Sequence, residues 1–395
     1  MATVRKRMWK SGEETKTAWV ADYFDQNIDT DHPYGRRHIK TFTTQRAAKA
    51  WLAKAQQEVN QGTHTPESDS ITVAEAAEIW LERAELEGLE RSTIQQYRNH
   101  VRRHINPLIG GQKLARLSTP AIEAYRDQLL KNCSRMMARK VLVSLKSILG
   151  EAQRRGLVAQ NVAQPVKVDA RKREQGRLVV GRDIPSKEEV QAILSNAEGR
   201  WLPLFVTAVF TGMRGSELRG LTWDNIDFRR GVIHVRQRAD YWGVMGAPKS
   251  AAGDRNIPMS PMVISVLREW RLACPKGDLH LVFPNGVGNI EAHANIASRG
   301  LKTLQVKAGI VGPDGKPKYG PHALRHFFAS WAIEQGFSPK RLQALLGHSS
   351  IQMTFDRYGH LFPSPEDDRA KFAAGELSVV GLLDLRQGSR FLQQG

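Results

Sequence analysis

Phe210-Thr-Gly-Met-Arg214-Gly-Ser-Glu217-Leu218 has the pattern of a turn that enters a helix. Arg214 and Glu217 are three residues apart, a spacing that places both side chains on one helix face. The carboxylate can then orient the guanidinium. The segment predicts a helical domain that holds this arginine in a fixed direction.

His322-Ala-Leu-Arg325-His326-Phe327 repeats that spacing further along the chain. His322 and Arg325 share a helix face, while Leu324 and Phe327 point toward a core. A guanidinium can hold two oxygens of an anion at once. Two separated arginines with histidines therefore predict a site for a phosphate that gathers negative charge.

A lysine and a tyrosine complete the set. Lys249 lies at a Gly/Pro-rich hairpin tip between the β-prone runs 232–235 and 256–259, and Thr354-Phe-Asp-Arg-Tyr358-Gly-His360 supplies a hydroxyl. A phenol with a pKa near ~10 needs a base or cationic surroundings before it attacks. The leaving hydroxyl needs an acid, and lysine can serve. With His348, the set predicts attack on a phosphodiester without a metal.

These segments resemble the tyrosine recombinase family, which comprises the phage integrases and their relatives. Residues 211–218 are similar to its first arginine box, 322–326 to its H-x-L-R-H box, and 346–348 to its third basic position. The resemblance implies a 3′-phosphotyrosyl intermediate on Tyr358 and protonation of the leaving 5′-hydroxyl by Lys249. The other implied roles are phosphate binding by Arg214, Arg325 and His348, help with the tyrosine proton by His322, and support of Arg214 by Glu217. One departure is Ser250 and Gly253, where the family favours Thr and Ser.

Single residues of this set also have structural interpretations. His348 after Leu-Gly could simply close a helix, since glycine favours the position after a helix end. His322 and His326 are four apart and could bind zinc, but Ala323 stands where a zinc protease has its catalytic glutamate. We therefore expect no metal and no other cofactor.

The charge of the chain suits a polyanionic partner. Among 395 residues, 58 Lys and Arg face 40 Asp and Glu, which gives a net charge of +18 and a pI of about 10.0. A basic protein held on ribosomes or membrane surfaces is the alternative that charge alone leaves open. No apolar run approaches the length of a membrane span, and no apolar segment follows the basic start. With two cysteines, Cys133 and Cys274, the expected location is the bacterial cytoplasm, at the nucleoid.

The chain predicts a multidomain α+β fold. Residues 1–65 form a small domain of three strands and a helix from about Thr44, with Ala47, Trp51, Ala55 and Val59 on its apolar stripe. Its place ahead of the catalytic segments resembles an arm-type DNA-binding domain.

Residues 66–165 predict a four-helix domain that resembles the core-binding domain of the family. Its expected caps are Thr72, Ser92, Thr119 and Ser134. Residues 166–183 form a basic linker, and 184–395 form a mostly helical catalytic domain with a small antiparallel sheet and a tail that docks on a neighbouring protomer. The cations expected to contact DNA are Arg5, Lys6, Arg7, Arg36, Arg37, Arg98, Arg102, Arg103, Arg139, Lys140, Arg171, Lys172 and Arg173.

The predicted function is site-specific recombination that integrates or excises a phage or mobile element. Expected partners are double-stranded DNA attachment sites of core and arm type, three further protomers in a tetramer on DNA, a host DNA-bending protein and an excisionase, with no membrane. Three alternatives stay open at this point: a tyrosine-type topoisomerase, a non-catalytic DNA-binding regulator with the same fold, and a zinc hydrolase.

Overall fold

The structure is a computed structural model that describes residues 2–11, 14–24, 35–60, 70–169, 177–362, 372 and 375–376. Two compact units divide the chain, Met1–Arg171 and Lys172–Gly395. The predicted DNA contacts Arg171, Lys172 and Arg173 lie outside the described residues, as does nearly all of the tail after Phe362.

The first unit opens with an antiparallel sheet covered by a helix. The strands β1 (Thr3–Ser11), β2 (Glu14–Phe24) and β3 (Arg37–Phe42) pair in that order, and α1 (Gln45–Asn60) packs on them. The predicted strands and helix are confirmed, but the predicted stripe is wrong at Ala47, which is exposed. The helix faces the sheet through Ala48, Leu52 and the predicted Ala55, and the predicted Trp51 and Val59 are partly buried against the same core.

Four further helical stretches follow in this unit, as the sequence predicts: α2 (Val73–Leu86), α3 (Arg91–His100), α4 (Thr119–Asn132) and α5 (Arg135–Arg154). α3 continues as a π-helical segment over Val101–Gly110, where Pro107 lacks the N–H that an α-helical bond requires. A short 3₁₀ turn, Leu114–Arg116, precedes α4.

Two of the four predicted caps are confirmed, and two are wrong. Thr72 forms a full capping box with Glu75, and Ser134 accepts a hydrogen bond from the amide of Met137. The cap of α4 is Ser118, one residue before the predicted Thr119. α3 begins after Glu90 with no side-chain cap, so Ser92 already lies inside the helix.

The second unit begins with helices that end in the predicted arginine segment. α6 (Lys187–Ser195) follows the capping box of Ser186, α7 (Trp201–Thr211) is almost wholly buried, and α8 (Gly215–Arg219) comes after a sharp turn. The small sheet joins β4 (Ile226–Asp227), β5 (Val232–Val235) and β8 (Arg255–Pro258), and a separate ribbon joins β6 (Arg238–Ala239) and β7 (Met245–Gly246). 3₁₀ turns span Trp223–Asn225 and Ala251–Gly253.

The rest of this unit is helical and surrounds α7. Its elements are α9 (Pro261–Ala273), α10 (His293–Asn295), the π-helical turn Ile296–Lys302, α11 (Thr303–Lys307), α12 (His322–Glu334), α13 (Pro339–Leu346), α14 (Ile351–Tyr358) and the 3₁₀ turn Gly359–Leu361. α9 and α12 pack directly on α7. The predicted mixed fold is confirmed. Among the helices of the described ranges, none combines the length and the apolar character that crossing a membrane requires.

Candidate active site

A tight turn sets the direction of Arg214. α7 ends at Gly212 in the left-handed conformation, φ +61°, where a Cβ atom would come within 2.3 Å of Phe328. The Nη1 atom of Arg214 then donates to Oε1 of Glu217 at 2.8 Å, and the backbone amide of Arg214 donates to Oε2 at 2.8 Å. The predicted orientation of the guanidinium by the carboxylate is therefore present.

Glu217 has a second arginine partner that sequence reasoning missed. Nη1 and Nη2 of Arg255 donate to Oε1 and Oε2 of Glu217 at 3.0 and 2.8 Å. Burial of Glu217 opposes its ionisation, but the hydrogen bonds and charges of Arg255 and Arg214 outweigh burial and lower its pKa. The sequence offered no signal for this pair, because Arg255 is simply one residue of a strand.

Arginines from three different elements bind the C-terminal end of α13. Arg255 donates to the carbonyl oxygen of Leu345 at 2.7 Å, Arg325 to that of Leu346 at 2.5 Å, and Arg214 to that of Gly347 at 2.8 Å. These carbonyls have no partners within their own helix, and they carry its negative dipole end. The end of α13 thus gathers the three guanidiniums.

The three arginines differ in how many N–H donors remain free to bind a ligand. Beyond α13, Arg325 donates to the carbonyl of Gly212 at 2.6 Å, and Arg214 donates to Glu217. Of five N–H groups on each guanidinium, these two arginines keep several for a ligand. Arg255 instead donates through all three nitrogens. The geometry thus suits Arg214 and Arg325 to an anion and Arg255 to support.

His348 follows α13 directly. Gly347 takes φ +65° and turns the chain, so that Nδ1 of His348 lies 2.9 Å from the hydroxyl of Thr354. Burial, and then the charges of Arg325 and Arg214, lower the pKa of His348 to about 4. His348 therefore closes a helix and also lies beside the ring of Tyr358, while its role in phosphate binding stays a prediction.

Tyr358 is buried at the centre of these groups, with 1% of its surface exposed. Its ring lies parallel to that of His348, with a 3° interplanar angle and 6.4 Å between centroids. Its hydroxyl lies 2.8 Å from Nδ1 of His326. Burial raises the pKa of Tyr358 to about 12, although the charges of Arg325 and Arg357 oppose that rise. The nucleophile expected from the sequence is therefore held as a neutral phenol.

The histidine on the tyrosine hydroxyl is a residue that sequence reasoning considered only as a zinc ligand. His322, expected to help with the proton, contacts His326 edge to face, with 4.7 Å between ring centroids. His322 is exposed on one side, yet desolvation of its ring and the charge of Arg325 lower its pKa to about 4. Within the described ranges no group of three or more metal-binding side chains occurs.

Lys249 is exposed and makes no hydrogen bond or ion pair within the described part of the chain. Its loop nevertheless reaches the site, because a Cβ atom on Gly347 would lie 2.8 Å from the carbonyl oxygen of Ala252. Strand β8, which follows the loop, carries Arg255 into the cluster. The structure thus places the loop beside His348, while the role of Lys249 stays a prediction.

The described cations expected to contact DNA are all on the first unit. Arg5 and Arg7 alternate along β1 on the face opposite the helix, Lys6 faces the helix side, and Arg37 pairs with Asp22. Arg98 forms an ion pair with Glu85. The remaining ones, all exposed, are Arg36, Arg102, Arg103, Arg139 and Lys140.

Comparison with known proteins gives the same assignment for both units. Residues 186–364 match the phage integrase family, and residues 72–130 match the N-terminal SAM-like domain of phage integrases. A tyrosine recombinase XerC-like protein of Caldanaerobacter subterraneus subsp. tengcongensis is 26% identical over 320 residues, or 74% of this chain and 80% of the relative. An integrase of Streptomyces ambofaciens is 27% identical over 369 residues, or 88% of this chain and 90% of the relative.

Solved structures share the fold. The Tn1549 transposon integrase in complex with a circular intermediate DNA superposes with a TM-score of 0.64 at 21% identity, over 77% of this chain and 99% of that one. A lambda integrase dimer bound to a core site gives a TM-score of 0.56 at 18% identity, over 72% and 97%. The fold and the family matches define a DNA strand-transfer class of enzyme. The chain belongs to the tyrosine recombinase family and is a site-specific recombinase of the integrase type.

Proposed function

We propose that this recombinase cuts and rejoins double-stranded DNA through a covalent bond between Tyr358 and a 3′-phosphate. The observation that supports this most is the setting of the Tyr358 hydroxyl, which is buried, bonded to His326 and close to the charge of Arg325. The arrangement suits an attack on a phosphate held by the arginines.

In the proposed reaction, Arg214 and Arg325 hold the non-bridging oxygens of the scissile phosphate. Their free N–H groups match the charge that develops on those oxygens in the transition state. His348, neutral because its pKa is lowered to about 4, donates a hydrogen bond from Nε2 to the same phosphate. Glu217 keeps the guanidinium of Arg214 in place.

Lys249 is the proposed acid for the leaving 5′-oxygen. As the bond from Tyr358 to phosphorus forms, the bond from phosphorus to the 5′-oxygen breaks, and that oxygen takes a proton from the lysine. The phosphotyrosyl bond retains the energy of the phosphodiester, so religation by a 5′-hydroxyl needs no nucleotide. The exposed loop of Lys249 leaves it free to move toward bound DNA.

The substrate we propose is an attachment site of a phage or other mobile element. Residues 66–165 would bind core-type DNA and residues 1–65 arm-type DNA, with 166–183 as linker and 184–395 as catalytic domain. The exposed arginines of α3 and α5 and the cations of β1 support this assignment by their charge. A tetramer on two duplexes, a host DNA-bending protein and an excisionase are part of the same proposal.

A pool of nicked duplexes tests the proposal, since loss of the short strand beyond the cut traps the covalent complex. Wild-type protein should give a DNA-linked band on a denaturing gel in the presence of EDTA. Tyr358→Phe should bind the same DNA and give no such band. An adduct that persists in Tyr358→Phe would exclude Tyr358 as the nucleophile.

A further inference from the structure

The family roles leave one buried group beside the nucleophile without an assignment. Within the described part of the chain, the one hydrogen bond to the Tyr358 hydroxyl is made with Nδ1 of His326, at 2.8 Å. His348 stacks on the tyrosine ring but directs its own Nδ1 to Thr354. His322 reaches the tyrosine only through the ring of His326.

We propose that His326 takes the proton of Tyr358 when the phenol attacks phosphorus, and returns it on religation. The inference rests on the proposed cleavage by Tyr358. His326 lies between the buried Tyr358 and the exposed His322, at centroid distances of 5.8 and 4.7 Å, so it is the histidine in reach of the phenol. His326 is itself largely shielded from water, with 8% of its surface exposed.

The proton and electron pairs balance in one step. The oxygen of Tyr358 forms its bond to phosphorus while its O–H bond breaks, and the proton moves to the lone pair on Nδ1 of His326. This requires the neutral tautomer with hydrogen on Nε2, and it leaves an imidazolium. The 5′-oxygen departs with the proton of Lys249. Religation reverses each transfer, so His326 returns the proton to the phenol oxygen.

The surroundings of His326 keep its ring neutral, so the proton stays on Tyr358 until DNA binds. Burial, with His322, Arg357 and Arg325 next in size, lowers the pKa of His326 to about 4, while Asp183 acts in the opposite direction. The charges that face the ring come from α12 itself, from α14 and from the segment before α6. A bound phosphate adds negative charge beside this ring, which favours the imidazolium. The base is therefore neutral at rest and becomes stronger with substrate.

The test compares three variants on nicked duplexes with either a normal or a sulfur-substituted scissile bond. His326→Asn keeps an acceptor near the Nδ1 position but cannot hold a proton. His360→Asn is the matched control, since His360 lies two residues beyond Tyr358 and bonds the carbonyl of Leu178 instead. A 5′-bridging sulfur leaves without an acid, so it should restore cleavage in Lys249→Ala.

His326→Asn should cleave about 10²–10⁴-fold more slowly than wild type near neutral pH, and sulfur should not restore its rate. Its rate should rise about tenfold per pH unit, because hydroxide must then remove the proton. A more acidic fluorotyrosine at position 358 should recover part of the loss. The same fluorotyrosine is also placed in otherwise wild-type protein, where it should change the cleavage rate much less than in His326→Asn.

Cleavage by His326→Asn within about threefold of wild type, with the same pH profile, would overturn the proposal. Restoration of the His326→Asn cleavage rate by the bridging sulfur would also overturn it, because it would show that His326 acts as the acid for the leaving oxygen. If His326→Asn is too unstable to assay, the fluorotyrosine at position 358 of otherwise wild-type protein still tests the proposal. A wild-type rate that rises steeply with the acidity of the fluorotyrosine, as attack by a free phenolate requires, would contradict a base at His326. Adducts formed by Tyr358→Phe would instead refute the proposed function itself.

Discussion

Arg255 and Glu217 form a two-point ion pair in which both side chains are almost completely buried, with N–O distances of 3.0 and 2.8 Å. Arg255 lies on β8, and Glu217 lies on α8 beside Arg214. The pair therefore joins the strand after the Lys249 loop to the segment that carries Arg214, which we propose binds the phosphate. Two parts of the site that are far apart in sequence are fixed to each other.

Glu217→Gln should destabilise the second unit by about 3–5 kcal/mol, because it leaves the buried charge of Arg255 without its partner. Glu334→Gln is the matched control, since Glu334 forms an exposed ion pair with Lys187 and should cost at most about 1 kcal/mol. Urea unfolding of each variant measures the free energy of unfolding. Equal losses in the two variants would show that the buried pair contributes no more than a surface pair.

Gly347→Ala should weaken both folding and catalysis. The alanine would need a left-handed backbone, which costs about 1–2 kcal/mol, and its Cβ would lie 2.8 Å from the carbonyl oxygen of Ala252. Gly336→Ala is the control, because Gly336 has φ +81° but no atom within 4 Å of the added Cβ. Thermal unfolding and cleavage rates should separate the two. Equal effects of the two substitutions on thermal unfolding and cleavage rate would mean that the structure relieves the crowding at Gly347 at no cost in stability or activity.

The stability of the second unit should fall as the pH is lowered toward 4. His326 and His348, both buried, have pKa values lowered to about 4, against a usual value of 6.5. The unfolded chain therefore takes up protons first, and stability declines from about pH 6.5 down to about pH 4 by at most about 1.4 kcal/mol per unit for each histidine.

Urea unfolding at several pH values measures that slope, and His348→Asn should reduce it by up to about 1 kcal/mol per pH unit. The slope, rather than the absolute stability, is the quantity compared. An unchanged slope in His348→Asn would contradict the low pKa of this histidine in the folded protein.

The exposed cations Arg5 and Arg7 of β1 should contribute to DNA binding through phosphates. A plot of log K against log salt has a negative slope. Replacing Arg5 and Arg7 with glutamine should reduce the magnitude of that slope by about 0.9 for each lost contact. Lys49→Gln on the exposed side of α1 is the control and should leave the slope unchanged. Equal salt slopes for the double variant and wild type on every duplex would remove this face from the interface.

The site could be predicted from sequence where local spacing determines geometry. The three-residue spacing of Arg214 and Glu217 gave their contact, and Thr72 gave its capping box with Glu75, because these interactions lie within one helical turn. The wrong caps at Ser92 and Thr119 show the limit of the same approach. A neighbouring residue that also suits the position leaves the helix start uncertain by one or two residues.

Interactions across the fold were not predictable in that way. His322 and His326 lie on the same helix face, so spacing alone cannot tell which ring meets Tyr358 on a different helix. Arg255 occupies a strand position where an arginine is normally exposed, and its burial depends on the carbonyls of α13 and the carboxylate of Glu217. The contacts of His326 and Arg255 can be recognised only from the packing of separate elements.

The covalent link itself is the most direct measurement of the central claim. Wild-type protein is incubated with nicked duplexes in EDTA, digested with protease, and the DNA-linked peptide is sequenced by mass spectrometry. We predict a single adduct, on Tyr358, joined to a 3′-phosphate and absent from Tyr358→Phe. Tight binding of the same duplexes without any adduct, or an adduct on another residue, would contradict cleavage by Tyr358.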